Sequence, residues 1–210
     1  MRLWTVQPIA VWERLRAEGQ VFVNPAHLGP DGWVHPRYSW LAGQLRFRIA
    51  DARGGLPWWA YCERPDLRWV RHSRPRGSRE VRIEFEPPAG AFVAFPCWAW
   101  HEVFAGRYLA LSGPEYRHWK SRLRRAGVSE EDDPLPEPFQ TELEVSWLRL
   151  FRSDLPARSW RRGDWPRGRE AVVEVLEQAW VRGVTEFVGT GAWMAGRFRV
   201  AAAQRPGPER

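Results

Sequence analysis

Apolar and polar positions along the chain change period several times, and the changes lay out the elements. Residues 3–6, Leu-Trp-Thr-Val, are β-prone and run into Gln7 and Pro8, after which Ile9, Trp12 and Leu15 recur at helical spacing until Gly19. A strand, a helix and a stop are predicted, with Trp4, Ile9, Trp12 and Leu15 forming one continuous apolar face at the centre of the fold. Val21-Phe-Val reads as a second short strand, followed by a loop rich in Pro and Gly over residues 24–36. Tyr38, Leu41, Leu45 and Ile49 make one stripe of a second helix, closed by Gly54-Gly55.

Residues 56–61, LPWWAY, read as a buried strand, and residues 71–79 as a basic loop. Val81, Ile83 and Phe85 alternate with polar residues until Pro87-Pro88, which predicts a strand with one buried face, and residues 91–95 predict another. Tyr116, Trp119 and Leu123 stripe a third helix opened by Gly113-Pro114; Phe139, Leu143, Trp147 and Phe151 stripe a fourth, after an acidic, Pro-rich connection over residues 129–138. Residues 158–169 are basic and loop-like, and residues 170–188 read as strand, short helix, strand. The expectation is an α+β fold: a single mixed domain over residues 1–203, with a small curved β-sheet core, about four flanking helices and a disordered tail at 204–210.

Composition adds to this picture. Fifteen Trp accompany a formal net charge of +7, and Lys120 is the sole lysine, so that nearly every cation is Arg. Arg stacks on aromatic faces and binds phosphate bidentately, which is the chemistry of a nucleotide or nucleic-acid binder. No apolar run approaches the roughly 18 residues of a membrane span, and the opening MRLWTVQPIAVWERL has no signal-peptide core. A cytoplasmic protein without a membrane partner is expected. Cys62 and Cys97 are too few for a disulfide framework; with His101 they offer thiolate and imidazole, yet no CxxC or HxxxH pair supports a zinc site, and no metal is expected. Neither GxGxxG nor GxxxxGK[ST] is present, which disfavours Rossmann and P-loop chemistry.

Several short motifs in order resemble a bacterial family, domain-of-unknown-function family 3841. They are Leu3-Trp-Thr-Val-Gln7 with Trp12, Tyr38-Ser-Trp-Leu41, Trp58-Trp-Ala-Tyr61 with Pro65-Asp-Leu-Arg68, Ile83-Glu-Phe-Glu-Pro87, Trp100-His101, and Ser146-Trp147 leading to Phe151. The family implies a layout and carries no established activity. More distantly, a first strand, a helix with a glycine stop and a late strand bearing an acid resemble DNA- and RNA-modifying ADP-ribosyltransferases. That resemblance implies that NAD is held by residues of the first strand, here Trp4, Thr5 and Gln7, and by an aromatic, Tyr38 or Trp40. It also implies that Glu170 or Glu174 steadies the oxocarbenium-like ribose.

Two constellations can be read from spacing. Glu170 and Glu174 lie four apart, so a continuous strand puts both carboxylates on one face, where they can hold a ribose or share a proton. Arg158, Arg161, Arg162 and Arg167 are interleaved with Trp160 and Trp165, the arrangement with which proteins grip single-stranded nucleic acid through stacking and phosphate contacts. Two functions are therefore expected from the sequence: an ADP-ribosyltransferase-like enzyme with a Trp/Tyr-lined cleft, or a non-catalytic nucleic-acid-binding domain with a stacking pocket.

Overall fold

A computed structural model describes residues 1–25, 34–156, 159–160 and 168–191. In chain order the elements are β1 (Leu3–Pro8), α1 (Ile9–Glu18), β2 (Gln20–Phe22), α2 (Pro36–Leu45), β3 (Trp58–Tyr61), α3 (Leu67–Ser73), β4 (Arg79–Phe85), β5 (Val93–Pro96), α4 (Cys97–Phe104), α5 (Gly113–Arg125), α6 (Phe139–Trp147), a 3₁₀ turn (Leu148–Phe151), β6 (Arg169–Val173), β7 (Val175–Glu177), a second 3₁₀ turn (Gln178–Trp180) and β8 (Val181–Val188). Six strands form one open sheet in the order β5-β6-β3-β1-β4-β8, with β2 and β7 paired apart from it. Each neighbouring pair in the large sheet is antiparallel. The fold is α+β, as the periodicities predict.

Each face of the sheet carries its own core. Leu3, Ala60, Val81, Ile83, Phe85, Ala171 and Val173 pack with Leu15 of α1 and with Val21 and Leu176 of the small sheet. Val172, next to Val173, belongs instead to the second core, as the alternation of a strand requires. There it joins Phe95, Leu41 and Leu45 of α2, the aromatic residues of α4, and Trp119, Leu143 and Trp147 of the later helices.

Tryptophan connects this second core to the loops around it. A buried indole needs an acceptor for its N–H, and here the acceptors are distant backbone carbonyls: Trp98 donates to Pro156 at 2.9 Å, Trp147 to Arg107 at 2.8 Å and Trp160 to Ala110 at 2.9 Å. Trp58 does the same for Val21 at 2.9 Å beside the first core. Four of the fifteen tryptophans thus join segments remote in sequence.

Some local expectations are corrected. Of α1 only Leu15 is fully buried; Trp12 is half-buried with the Arg16 guanidinium over its ring, so the helix covers the sheet with a narrow stripe rather than filling its centre. Gly19 ends α1 in the left-handed conformation, φ 77°, with its N–H on the Leu15 carbonyl, the role the stop predicts. The segment 71–79 is not wholly loop, because α3 runs to Ser73 after Asp66 caps it by accepting from the Arg68 N–H. The periodicity of the sequence predicts no helix where α4 forms. Its sequence, CWAWHEVF, is apolar on nearly every side, and a helix buried all round shows no amphipathic period. The short helix expected within residues 170–188 is only the three-residue 3₁₀ turn. The tail 204–210 lies outside the described residues.

Candidate functional site

The sheet opens between β1 and β3. Strand β1 pairs with β4 from Leu3 to Pro8, but with β3 only at Trp4↔Tyr61. Beyond that pair the two strands leave a cleft of about 410 Å³, lined by Thr5, Val6 and Gln7 on one side and by Trp59, Ala60 and Tyr61 on the other. Tyr38 of α2, Trp100 and His101 of α4, Glu170 of β6 and Arg74, which follows α3, complete the lining. Its size lies within the range of roughly 300–1,000 Å³ usual for small-molecule sites.

One wall is an aromatic cluster. The rings of Trp59 and Trp100 are 5.1 Å apart, Tyr38 and Trp100 5.6 Å, and Tyr38 and Trp59 6.0 Å, each within the range of favourable edge or tilted contacts. Phe95 and Phe104 back this cluster at 5.8 Å from Trp59 and from Trp100 respectively, so it is continuous with the second core and rigidly held.

The polar lining has a definite charge pattern. Strand registers Tyr61↔Glu170 and Phe95↔Glu170 put Glu170 on the same face as these two aromatic residues. Burial raises its carboxyl above the ordinary value, an effect partly offset by the Cys97 thiol, which donates to it. Burial beside that carboxylate pushes the Cys97 thiol up in turn, keeping it protonated. Cys62 is pushed up to about 11, chiefly by burial. Neither cysteine is a thiolate nucleophile near neutral pH. Burial raises Tyr38 and Tyr61 and lowers His101. Arg74 brings a cation, its guanidinium donating to the Val6 carbonyl at 3.0 Å and lying 3.8 Å from the buried Glu80 carboxylate. Gln7 donates to the Thr5 hydroxyl at 2.8 Å.

Of the residues singled out from the sequence, Thr5, Gln7, Tyr38 and Glu170 meet in this cleft. The others do not. Trp4 donates its indole N–H to Glu84 at 3.1 Å and is not among the lining residues. Trp40 packs on Trp147 and Phe151, at 5.5 and 6.0 Å, within the second core. Glu174 does not share a face with Glu170, because β6 ends at Val173 and the chain crosses there into the small sheet; its buried carboxylate accepts from the N–H groups of Arg53, at 2.7 Å, and Gly55. Trp160 is half-buried against Tyr116, and its indole N–H is engaged by the fold. Arg158, Arg161, Arg162, Trp165 and Arg167 lie outside the described residues.

Trp59, Tyr61, Arg74, Trp100 and His101 are cleft residues that were not assigned to a site from the sequence. In the sequence Trp100-His101 stands out as a motif, and His101 otherwise only as part of a zinc set with Cys62 and Cys97 that the spacing does not support. Among the described residues no group of three or more His, Cys, Asp or Glu side chains is placed to hold a metal ion, and no helix is long and apolar enough to cross a membrane.

No curated protein and no solved structure matches the chain. The model of one family, described as a domain of unknown function (DUF3841), matches residues 2–173, a stretch that takes in every residue of the cleft lining, and the chain belongs to that family.

Proposed function

We propose that the protein is an ADP-ribosyltransferase-like enzyme that takes NAD as a substrate in the cleft between β1 and β3 and uses Glu170 to stabilise the ribosyl cation. The observation that carries this reading is convergence: Thr5 and Gln7, Tyr38, and Glu170 come from three distant parts of the chain and line one cleft.

The chemistry fits the donor set. Hydrolysis of an ordinary glycoside needs two carboxyl groups, one to protonate the leaving oxygen and one to meet the developing cation. The nicotinamide of NAD is already a pyridinium; it departs neutral with the bonding electron pair and needs no proton. One carboxylate is then sufficient, and Glu170 is the one carboxylate among the described residues lining the cleft. Its desolvation strengthens the role, because a carboxylate withdrawn from water interacts more strongly with a positive charge that appears beside it. Tyr38, Trp59 and Trp100 offer aromatic faces for the nicotinamide ring, and Arg74 offers a cation for the phosphates.

The Arg excess makes a polyanion, nucleic acid, the acceptor that this reading favours. Incubation with NAD is expected to release nicotinamide, with retention of labelled ADP-ribose on added single-stranded oligonucleotide. Binding to that oligonucleotide should weaken log-linearly with salt, at about 0.7 per phosphate neutralised. Absence of both nicotinamide release and stabilisation by NAD in thermal melts would sink the reading.

A further inference from the structure

Beyond stabilising the cation, the transfer needs a group to receive the acceptor's proton, and the cleft contains few candidates. Thr5 and Gln7 bond to each other and are not bases near neutral pH. Tyr38 on α2 and Tyr61 on β3 keep their protons, since burial raises both. Arg74 is a permanent donor, and the thiol of Cys97 at the start of α4 is protonated toward Glu170. Glu170 must remain an anion, because accepting a proton would remove the charge that stabilises the ribosyl cation. His101 is left. It lies on α4 one residue after Trp100, half-buried, and its imidazole makes no hydrogen bond to the described residues. Its ring nitrogens are not sealed from solvent, and its lowered affinity for protons keeps it neutral at pH 7.

Resting on the function proposed above, we infer that His101 is the general base of the transfer, and that the acceptor is a neutral O–H or N–H group rather than a phosphate or carboxylate anion. The C1′–nitrogen bond to nicotinamide breaks with its electron pair going to the ring nitrogen. A lone pair of the acceptor forms the new bond to C1′, and the acceptor's proton passes to the free nitrogen of His101, which later returns it to water. Nothing is oxidised or reduced. An anionic acceptor would have no proton to give, and the imidazole would be redundant.

The test uses two small acceptors with NAD: water, which must lose a proton, and azide, which carries none. His101→Gln should lower the hydrolytic rate at least 100-fold, the scale of general base catalysis, with KM for NAD changed less than about threefold. Azidolysis by the same variant should stay within about threefold of wild type. Glu170→Gln should lower both reactions together. His101→Asn serves as a second variant if the first melts markedly lower. In the Glu170→Gln protein, the imidazole C–H resonance of His101 should titrate below the ordinary histidine value of about 6.5 and shift when NAD is added. Equal loss of hydrolysis and azidolysis in His101→Gln would assign the residue to binding, and no loss in either would remove it from the reaction; both overturn the inference. Turnover that depends on Glu170 but not on His101 sinks this inference alone, whereas a wild-type protein that releases no nicotinamide with either acceptor sinks the enzymatic reading as well.

Discussion

Glu170 and Glu174 sit four residues apart on one run of chain and experience opposite surroundings. No backbone N–H among the described residues reaches the Glu170 carboxylate, whose neighbours are a thiol and aromatic rings; Glu174 is buried and satisfied by two backbone N–H groups of the 53–55 loop. A carboxylate with its bonds filled holds a loop in place, while one left poorly solvated at a cleft holds electrostatic capacity for a ligand. The difference arises at a crossing point. Trp58↔Val173 is the last pair of β6 with β3, and Val175 already pairs with Phe22 in the other sheet, so Glu174 falls on the bend between two sheets.

The comparison can be broken most severely at its catalytic end. Glu170→Gln keeps size and removes charge, and nicotinamide release should fall about 10²–10³-fold, the loss typical of deleting one preorganised electrostatic contact. Glu174→Gln should leave that rate within about twofold of wild type. Similar losses in the two variants, measured as initial rates at saturating NAD, would erase the distinction.

Stability should show the reverse ranking. Glu174→Ala leaves the Arg53 and Gly55 N–H groups without their charged acceptor and should cost about 3 kcal/mol in urea denaturation, as bonds to charged groups are worth roughly 1.5–3 kcal/mol. An unchanged denaturation midpoint would show that the loop is held by other contacts.

A third substitution probes the support of the cleft. A Cβ on Gly189 would collide with the Pro75 carbonyl oxygen and lie 2.9 Å from the Arg74 Cβ, so Gly189→Ala must displace the segment that carries Arg74. We expect a loss of about 2 kcal/mol, as for other overpacked sites, together with a raised KM for NAD. A raised KM without loss of stability, or neither, would show that the segment yields easily.

The smallest effect is one of pH. Because the Glu170 carboxyl is raised in the folded protein, its contribution to stability is fully present below the unfolded value and is lost as pH rises through the folded one. Glu170→Gln does not titrate. Its melting temperature should match wild type near pH 4 and exceed it at neutral pH; a variant less stable than wild type at pH 7 would mean that the Cys97–Glu170 contact matters more than the desolvation.

Much of the architecture was legible in the chain. Alternation announced β4, and helical stripes announced α2, α5 and α6, whereas α3, seven residues long, is too short to show a helical period. Helix α4 was not legible, because burial on all sides erases the periodic signal, and the placing of Trp100 and His101 in the cleft was therefore not legible either. Of the residues that the resemblance assigns to NAD, Thr5, Gln7 and Tyr38 line the cleft; Trp4 shares the sheet face of Tyr61 and Glu170 but gives its indole N–H to Glu84, and Trp40, two positions from Tyr38 along a helix, packs against the second core.

What the sequence determined by itself is local: where strands and helices start and stop, the stripe each one buries, and the order of motifs that marks the family, all of which depend on residues a few positions apart. Tertiary structure alone decided that β1 and β3 separate after a single pair, that residues 5, 7, 38, 74, 101 and 170 share one cleft, and that Glu170 enters it while Glu174 does not. The physical reason is that spacing within a strand or helix sets which way a side chain faces, whereas its neighbours, its solvation and therefore its chemistry are set by segments tens of residues away.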